Sequence, residues 1–150
     1  MLENIVLKSE KDINALAERV FKLLKNKPAA HVLALSGDLG TGKTTFAKSL
    51  GKILGVKNRI LSSTFMIFRV YDLDFKKNGF KKFYHADFYR VKSVDELKSV
   101  GFLEVVKNTE NLVLIEWADK FKEIIPENSI KLNFKHGKNE LEREVAFIRE

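Results

Sequence analysis

Ile13, Leu16, Ala17, Val20, Phe21 and Leu24 recur at the i, i+3, i+4, i+7 spacing that puts side chains on one face of a helix, and most of the residues between them are charged or polar. Ser9 stands where an N-cap belongs, and Pro28 blocks continuation beyond about Asn26. Ahead of this helix, Ile5-Val-Leu-Lys8 predicts a short opening strand. The pattern then changes. His31-Val-Leu-Ala-Leu-Ser36 is an apolar run of strand length, and Thr45 to Leu54 returns to helical spacing before Gly55 supplies a stop.

Further along, Phe65 to Tyr71 and Lys81 to Tyr89 are aromatic and β-branched enough to be strands. With a turn-like Asp74 to Gly79 between them, they predict an antiparallel hairpin. Ser93-Val-Asp-Glu96 has the capping-box spacing, so a short helix is expected from Val94 to about Val100, ended by Gly101. Asn111 to Trp117 carries an unbroken apolar run, Leu112-Val-Leu-Ile115, as a strand buried on both faces of a sheet does. Ala118 to Glu123 predicts a brief helix before Pro126. Ser129 to Lys135 and Arg143 to Arg149 read as two strands joined through His136-Gly-Lys-Asn139.

The interval between the second strand and its helix carries chemistry. Gly37-Asp-Leu-Gly-Thr-Gly-Lys-Thr44 is a complete G-x-x-x-x-G-K-[ST] phosphate-binding loop in its required strand–loop–helix setting. Gly37, Gly40 and Gly42 let the backbone turn so that successive N–H groups converge on a phosphate at a helix N-terminus. Lys43 is then expected to reach the β and γ phosphates, and the Thr44 hydroxyl to take one place on Mg²⁺. The fold expected is α/β and P-loop NTPase-like, in three layers, with a central mixed sheet and added antiparallel hairpins, all in one domain over residues 1–150.

Composition narrows the function. With no Cys among 150 residues, thiolate zinc sites, cysteine nucleophiles and disulfides are excluded, which fits a reducing cytoplasm. The three histidines are scattered, so no local zinc cluster is visible. The N-terminal apolar run is too short for a signal peptide, and no run approaches the ~18 residues a membrane helix needs. A cytoplasmic protein with no membrane partner is therefore expected. The net charge of +7 favours polyanionic partners, although the lysines are spread along the whole chain.

Hydrolysis needs a second acid beyond the loop. Glu116 ends the apolar strand, and in doubly wound sheets such strand ends lie beside the phosphate loop, so its carboxylate is expected to face the metal. Asp87 is the next candidate. In a strand it shares a face with His85, and of three readings, two metal ligands, a catalytic pair or the polar edge of a hairpin, strand geometry alone slightly favours the polar edge. Thr64, twenty positions after Thr44, falls where switch segments of nucleotide hydrolases carry a hydroxyl that senses the γ-phosphate.

Together Gly-Asp-Leu-Gly-Thr-Gly-Lys-Thr44, Ser-Ser-Thr-Phe65, His-Ala-Asp-Phe-Tyr-Arg90, Asp95-Glu-Leu followed by Gly101, and Ile-Glu-Trp-Ala118 resemble the bacterial TsaE (formerly YjeE) family over nearly the whole chain. That family is the ATPase component of the machinery making threonylcarbamoyladenosine on tRNA. The resemblance implies that Gly40, Thr41, Gly42, Lys43, Thr44 and Thr45 hold the ATP phosphates and that Thr44 and Glu116 hold Mg²⁺. It implies that Asp87 assists hydrolysis, that Thr64 belongs to a switch, and that Glu10 and Arg143 lie near the nucleotide. Ser63 stands where the family's switch usually has proline. The partners implied are the threonylcarbamoyl transferase subunit and its partner protein, with tRNA reached indirectly through them. The resemblance also implies that ATP hydrolysis resets that complex between turnovers.

A small GTPase is disfavoured because no Asn-Lys-x-Asp segment is present: Asn26-Lys27 is followed by Pro28-Ala29. A small-molecule P-loop kinase would need a cationic lid, and the chain has no obvious Arg-rich insert. A nucleotide-gated binding module that never turns over is the alternative outside enzymes.

Overall fold

The computed structural model describes residues 2–26, 31–56 and 66–148. Seven strands form one mixed sheet: β1 (Leu2–Leu7), β2 (Val32–Gly37), β3 (Phe68–Asp72), β4 (Lys82–Asp87), β5 (Asn111–Glu116), β6 (Ile130–His136) and β7 (Arg143–Ile148). Their spatial order is β1-β7-β6-β2-β5-β4-β3. The middle four, β6, β2, β5 and β4, run parallel, while β7 and β3 pair antiparallel to their neighbours and β1 pairs antiparallel to β7. A parallel centre with antiparallel additions at both ends is the mixed sheet the sequence predicts.

The pleat sorts the apolar runs of β2 and β5 onto two faces. Leu33, Leu35, Leu112 and Leu114 pack with α1 (Glu10–Asn26) and α2 (Lys43–Ile53). Val32, Ala34, Val113 and Ile115 belong to the opposite core, with α4 (Val94–Ser99), α5 (Phe102–Lys107) and the 3₁₀ segment Ala118–Ile124. All six residues of β5 are buried. The result is three layers, with helices on both faces of a sheet.

Local chemistry sets the element ends. Ser9 Oγ accepts from the Asp12 N–H at 3.3 Å while Asp12 Oδ2 accepts from the Lys8 N–H at 2.8 Å, a reciprocal cap that starts α1. Arg19 on α1 pairs with Glu3 on β1 and ties the helix to the edge strand. Between β3 and β4 the predicted turn contains a short helix, α3 (Phe75–Asn78). Asp74 caps it by accepting from the Lys76 and Lys77 N–H groups, and Gly79 closes it at φ 80°.

One further expectation needs correction. The Ser93 side chain makes no capping bond; instead Glu96 reaches back to the Lys92 N–H at 3.2 Å, one residue earlier than a standard box. Gly101, at φ 73°, does end α4, but α5 begins at once. Only Phe102 and Val106, four apart, are buried on that helix, so six residues give too little periodicity to read. Its last carbonyls are satisfied from elsewhere: Asn111 Nδ2 donates to Val105 O at 3.1 Å and His31 Nε2 to Val106 O at 2.5 Å. Among the described residues no helix is long and apolar enough to cross a membrane.

Candidate functional site

Gly37 ends β2 at φ +131°, and a Cβ there would lie 2.2 Å from the backbone oxygen of Phe134 on β6. The phosphate loop therefore leaves the sheet at a point where only glycine fits. It returns to helix at Gly42, which N-caps α2 in the left-handed region with no side chain to offer. The first-turn N–H groups of α2 lack a capping side chain from that position and suit an anion. Within the loop, Thr41 Oγ1 donates to Asp38 O at 2.7 Å.

Lys43 is buried, and its ammonium donates to Gly37 O at 2.5 Å and Asp38 O at 2.8 Å, the carbonyls of its own loop. Burial pulls the lysine below its ordinary pKa, and the carboxylates of Glu116 and Asp87 work against that. The same ammonium sits 4.4 Å from the centre of the Trp117 ring.

The acids arrive on neighbouring parallel strands. Asp87 at the end of β4 is in register with Glu116 at the end of β5, and Glu116 is in register with Leu35 of β2, two residues before the loop begins. Glu116 is only 3% exposed, so it is not an acid marking the strand's exit into solvent. Its Oε1 accepts from Thr44 Oγ1 at 2.9 Å and its Oε2 from His85 Nε2 at 2.5 Å. Asp87 Oδ1 accepts from the Tyr89 N–H at 2.9 Å. Desolvation pushes the Asp87 carboxyl above its ordinary pKa, against the Tyr89 hydrogen bond; Glu116 raises it further while His85 and Lys43 oppose. The polar-edge reading of His85 and Asp87 fails, because β4 lies between β5 and β3 and His85 is fully buried.

Trp117 follows Glu116 with φ 59° and ψ 36°, the one non-glycine residue with positive φ among the described residues. That backbone costs about 1–2 kcal/mol. It lays the ring over Lys43 and against Tyr89, whose ring centre is 4.9 Å away. Lys120 then donates to Tyr89 O and Val91 O at 2.7 and 2.9 Å, clamping the segment after β4 to the segment after β5.

These groups line a cavity of about 920 Å³. Gly40, Thr41, Gly42, Lys43, Thr44 and Thr45 line it together with Asp87 and Glu116. Glu10, the first residue of α1, and Arg143, the first of β7, line the same cavity from the other end of the sheet order. Arg143 Nη1 is held by Glu140 O and Glu142 O at 2.7 and 2.9 Å. Thr64 lies outside the described residues. Sequence reasoning missed Tyr89 as a wall residue; the available signal was that it lies two positions after the strand-end acid Asp87.

The Thr44 hydroxyl and the Glu116 carboxylate form an all-oxygen pair suited to a hard cation. Among the described residues no three His, Asp or Glu side chains form a cage for a metal by themselves. Mg²⁺ fits such a site, because it is commonly held by one or two protein groups together with substrate phosphates and water.

Three comparisons bear on this architecture. The profile of the family described as "Threonylcarbamoyl adenosine biosynthesis protein TsaE" matches residues 7–145. The chain is 38% identical over 130 residues to the tRNA threonylcarbamoyladenosine biosynthesis protein TsaE of Borreliella burgdorferi, covering 85% of this chain and 88% of that protein. It is 36% identical over 142 residues to the protein of the same name from Aquifex aeolicus, covering 88% and 95%. The crystal structure of Bacillus subtilis YdiB superposes with a TM-score of 0.70 at 26% identity, over 99% of this chain and 86% of the other.

Proposed function

The chain belongs to the TsaE family of tRNA threonylcarbamoyladenosine biosynthesis, and from that premise we propose that it is a Mg²⁺-dependent ATPase serving the threonylcarbamoyl transferase subunit and its partner protein. The observation that carries the reading is the hydrogen bond from Thr44 to Glu116, which joins the loop's metal-binding hydroxyl to a strand-end carboxylate seventy-two residues later in the sequence.

The chemistry follows from the cavity walls. The N–H groups of the loop and of the first turn of α2 receive the phosphates. Lys43 exchanges its two loop carbonyls for phosphate oxygens, which offer a full negative charge where the carbonyls offer dipoles. Thr44 and Glu116 would hold Mg²⁺, which would neutralise charge building on the phosphate oxygens. Asp87, whose elevated pKa suits proton acceptance, orients the water that attacks the γ-phosphorus as the bond to the ADP oxygen breaks. Trp117 and Tyr89 cover the site on the side of Lys43. Adenine is preferred to guanine for want of an Asn-Lys-x-Asp segment.

Phosphate release from Mg-ATP, measured with and without the transferase complex, tests the reading. Wild type is expected to release phosphate. Lys43→Ala is expected to lose turnover by about a hundredfold or more because it removes the cation that faces the phosphates, with circular dichroism checking that the fold is kept. Turnover by a folded Lys43→Ala equal to wild type would sink the phosphate-loop reading. ATP binding without phosphate release under either condition would mark a binding module.

A further inference from the structure

His85 contacts the proposed metal ligand, yet the proposed chemistry leaves it without a task. It lies on β4 with no exposed surface, and its Nε2 is 2.5 Å from Glu116 Oε2. Its other ring nitrogen, Nδ1, is buried with no hydrogen-bond partner. A histidine whose second nitrogen goes unsatisfied is a costly way to fill a position between strands, and an apolar side chain of similar volume would fill it without that loss. The nitrogen that is satisfied points at the proposed metal ligand.

The geometry around Glu116 says what that bond does. A carboxylate at a strand end can rotate about its side-chain torsions and present either oxygen to the loop. Here Oε2 is taken by His85 from the neighbouring strand, and Oε1 is left on the side of Thr44, whose hydroxyl donates to it at 2.9 Å. A carboxylate only accepts, so Nε2 carries the hydrogen. We propose that His85 is the positioning residue of the acidic Mg²⁺ ligand: by donating from Nε2 to Oε2 it fixes the Glu116 carboxylate with Oε1 beside Thr44, so that the metal-binding oxygens are aligned before Mg-ATP arrives. Outer partners of metal ligands act in this way, and losing one typically weakens metal binding tenfold to a hundredfold. His85 itself touches neither substrate nor metal in this account, which rests on the reading of Thr44 and Glu116 as Mg²⁺ ligands.

The test is the affinity of the full chain for ATP, measured by equilibrium binding across a Mg²⁺ titration and in its absence. Four proteins are compared: wild type, His85→Leu, His85→Gln and Glu116→Gln. Wild type is expected to bind ATP more tightly as Mg²⁺ is added, and Glu116→Gln to lose most of that gain. His85→Leu, with no donor, is expected to need at least roughly tenfold more Mg²⁺ for the half-maximal effect, with its Mg²⁺-free affinity unchanged. His85→Gln places an amide N–H close to the position of Nε2 and is expected to recover most of the response. A wild-type Mg²⁺ response in His85→Leu overturns the proposal. So does a loss of ATP affinity that is equal with and without Mg²⁺, the mark of a purely structural role, or a His85→Gln variant as impaired as His85→Leu. If Glu116→Gln keeps the full Mg²⁺ gain, the assignment of the metal ligand fails first and takes this proposal with it, an outcome read independently of both His85 variants.

Discussion

Asp87 and Lys43 sit a short distance apart in one cavity, and burial moves each toward its neutral form. The sign of the consequence for Asp87 is fixed. Its folded-state pKa lies above the ordinary value of 3.8, so the stability it contributes is present below that value and is lost as pH rises through the folded pKa. Asp87→Asn keeps an oxygen for the Tyr89 N–H and removes the charge. It is expected to melt at a higher temperature than wild type at neutral pH, with the difference shrinking as pH falls toward 3.8, while turnover drops about a hundredfold and ATP still binds. Thermal melts across pH together with phosphate release check both halves. A variant that is less stable than wild type at pH 7 would show that the carboxylate is held in place by partners worth more than its desolvation. At this scale the sequence indicated Glu116, because it ends a wholly apolar run and the ends of parallel strands in a doubly wound sheet gather beside the loop. It left His85 open among three roles, because those depend on which strand lies beside β4 and how a ring nitrogen is aimed. The left-handed backbone of Trp117 has no sequence signature at all, since tryptophan rarely adopts it.

At the scale of elements, the junction of β2 and β6 decides where the loop leaves the sheet. Gly37→Ala combines a φ of +131° with a Cβ placed 2.2 Å from a backbone oxygen of β6, which cannot move without disturbing the ladder. It is expected to destabilise the protein by about 2–4 kcal/mol and to lower the urea midpoint accordingly. Gly79→Ala is the control: its φ is +80° but a Cβ would meet nothing within 4 Å, so about 1–2 kcal/mol is expected. Equal losses would mean that backbone conformation rather than the approach of β6 sets the requirement at Gly37. The long or uniformly apolar elements, α1, β2 and β5, were legible because their periodicity extends over enough residues to be unambiguous. The helical turn in the β3–β4 connection and α5 were not, being four and six residues long and held by an Asp74 cap, an Asn111 amide and a His31 ring that arrive through local or tertiary contact.

For the whole molecule the question is what the chain can do alone. Its described residues supply one sheet and a cavity lined by Lys43, Thr44, Asp87 and Glu116, yet these groups make bonds within the chain itself. Lys43 is bonded to the carbonyls of its own loop, and the Asp87 carboxylate to the Tyr89 N–H. On the proposed mechanism Lys43 must leave those carbonyls for a phosphate before hydrolysis, so slow turnover is expected from the isolated protein. The segments after β4 and β5 are tied together by Lys120 and meet the cavity through Tyr89 and Trp117, whose ring lies over Lys43, so a partner docked on them would reach the site. Ordering worth only ~1.4 kcal/mol in the barrier gives a tenfold rate gain. ATPase activity is therefore expected to rise at least roughly tenfold when the transferase subunit and its partner protein are added together, and Asp87→Asn is expected to lose that increment while still binding ATP. Steady-state phosphate release across a titration of the complex reads both. Fast turnover by the isolated chain, indifferent to the complex, would point instead to a self-sufficient hydrolase or kinase.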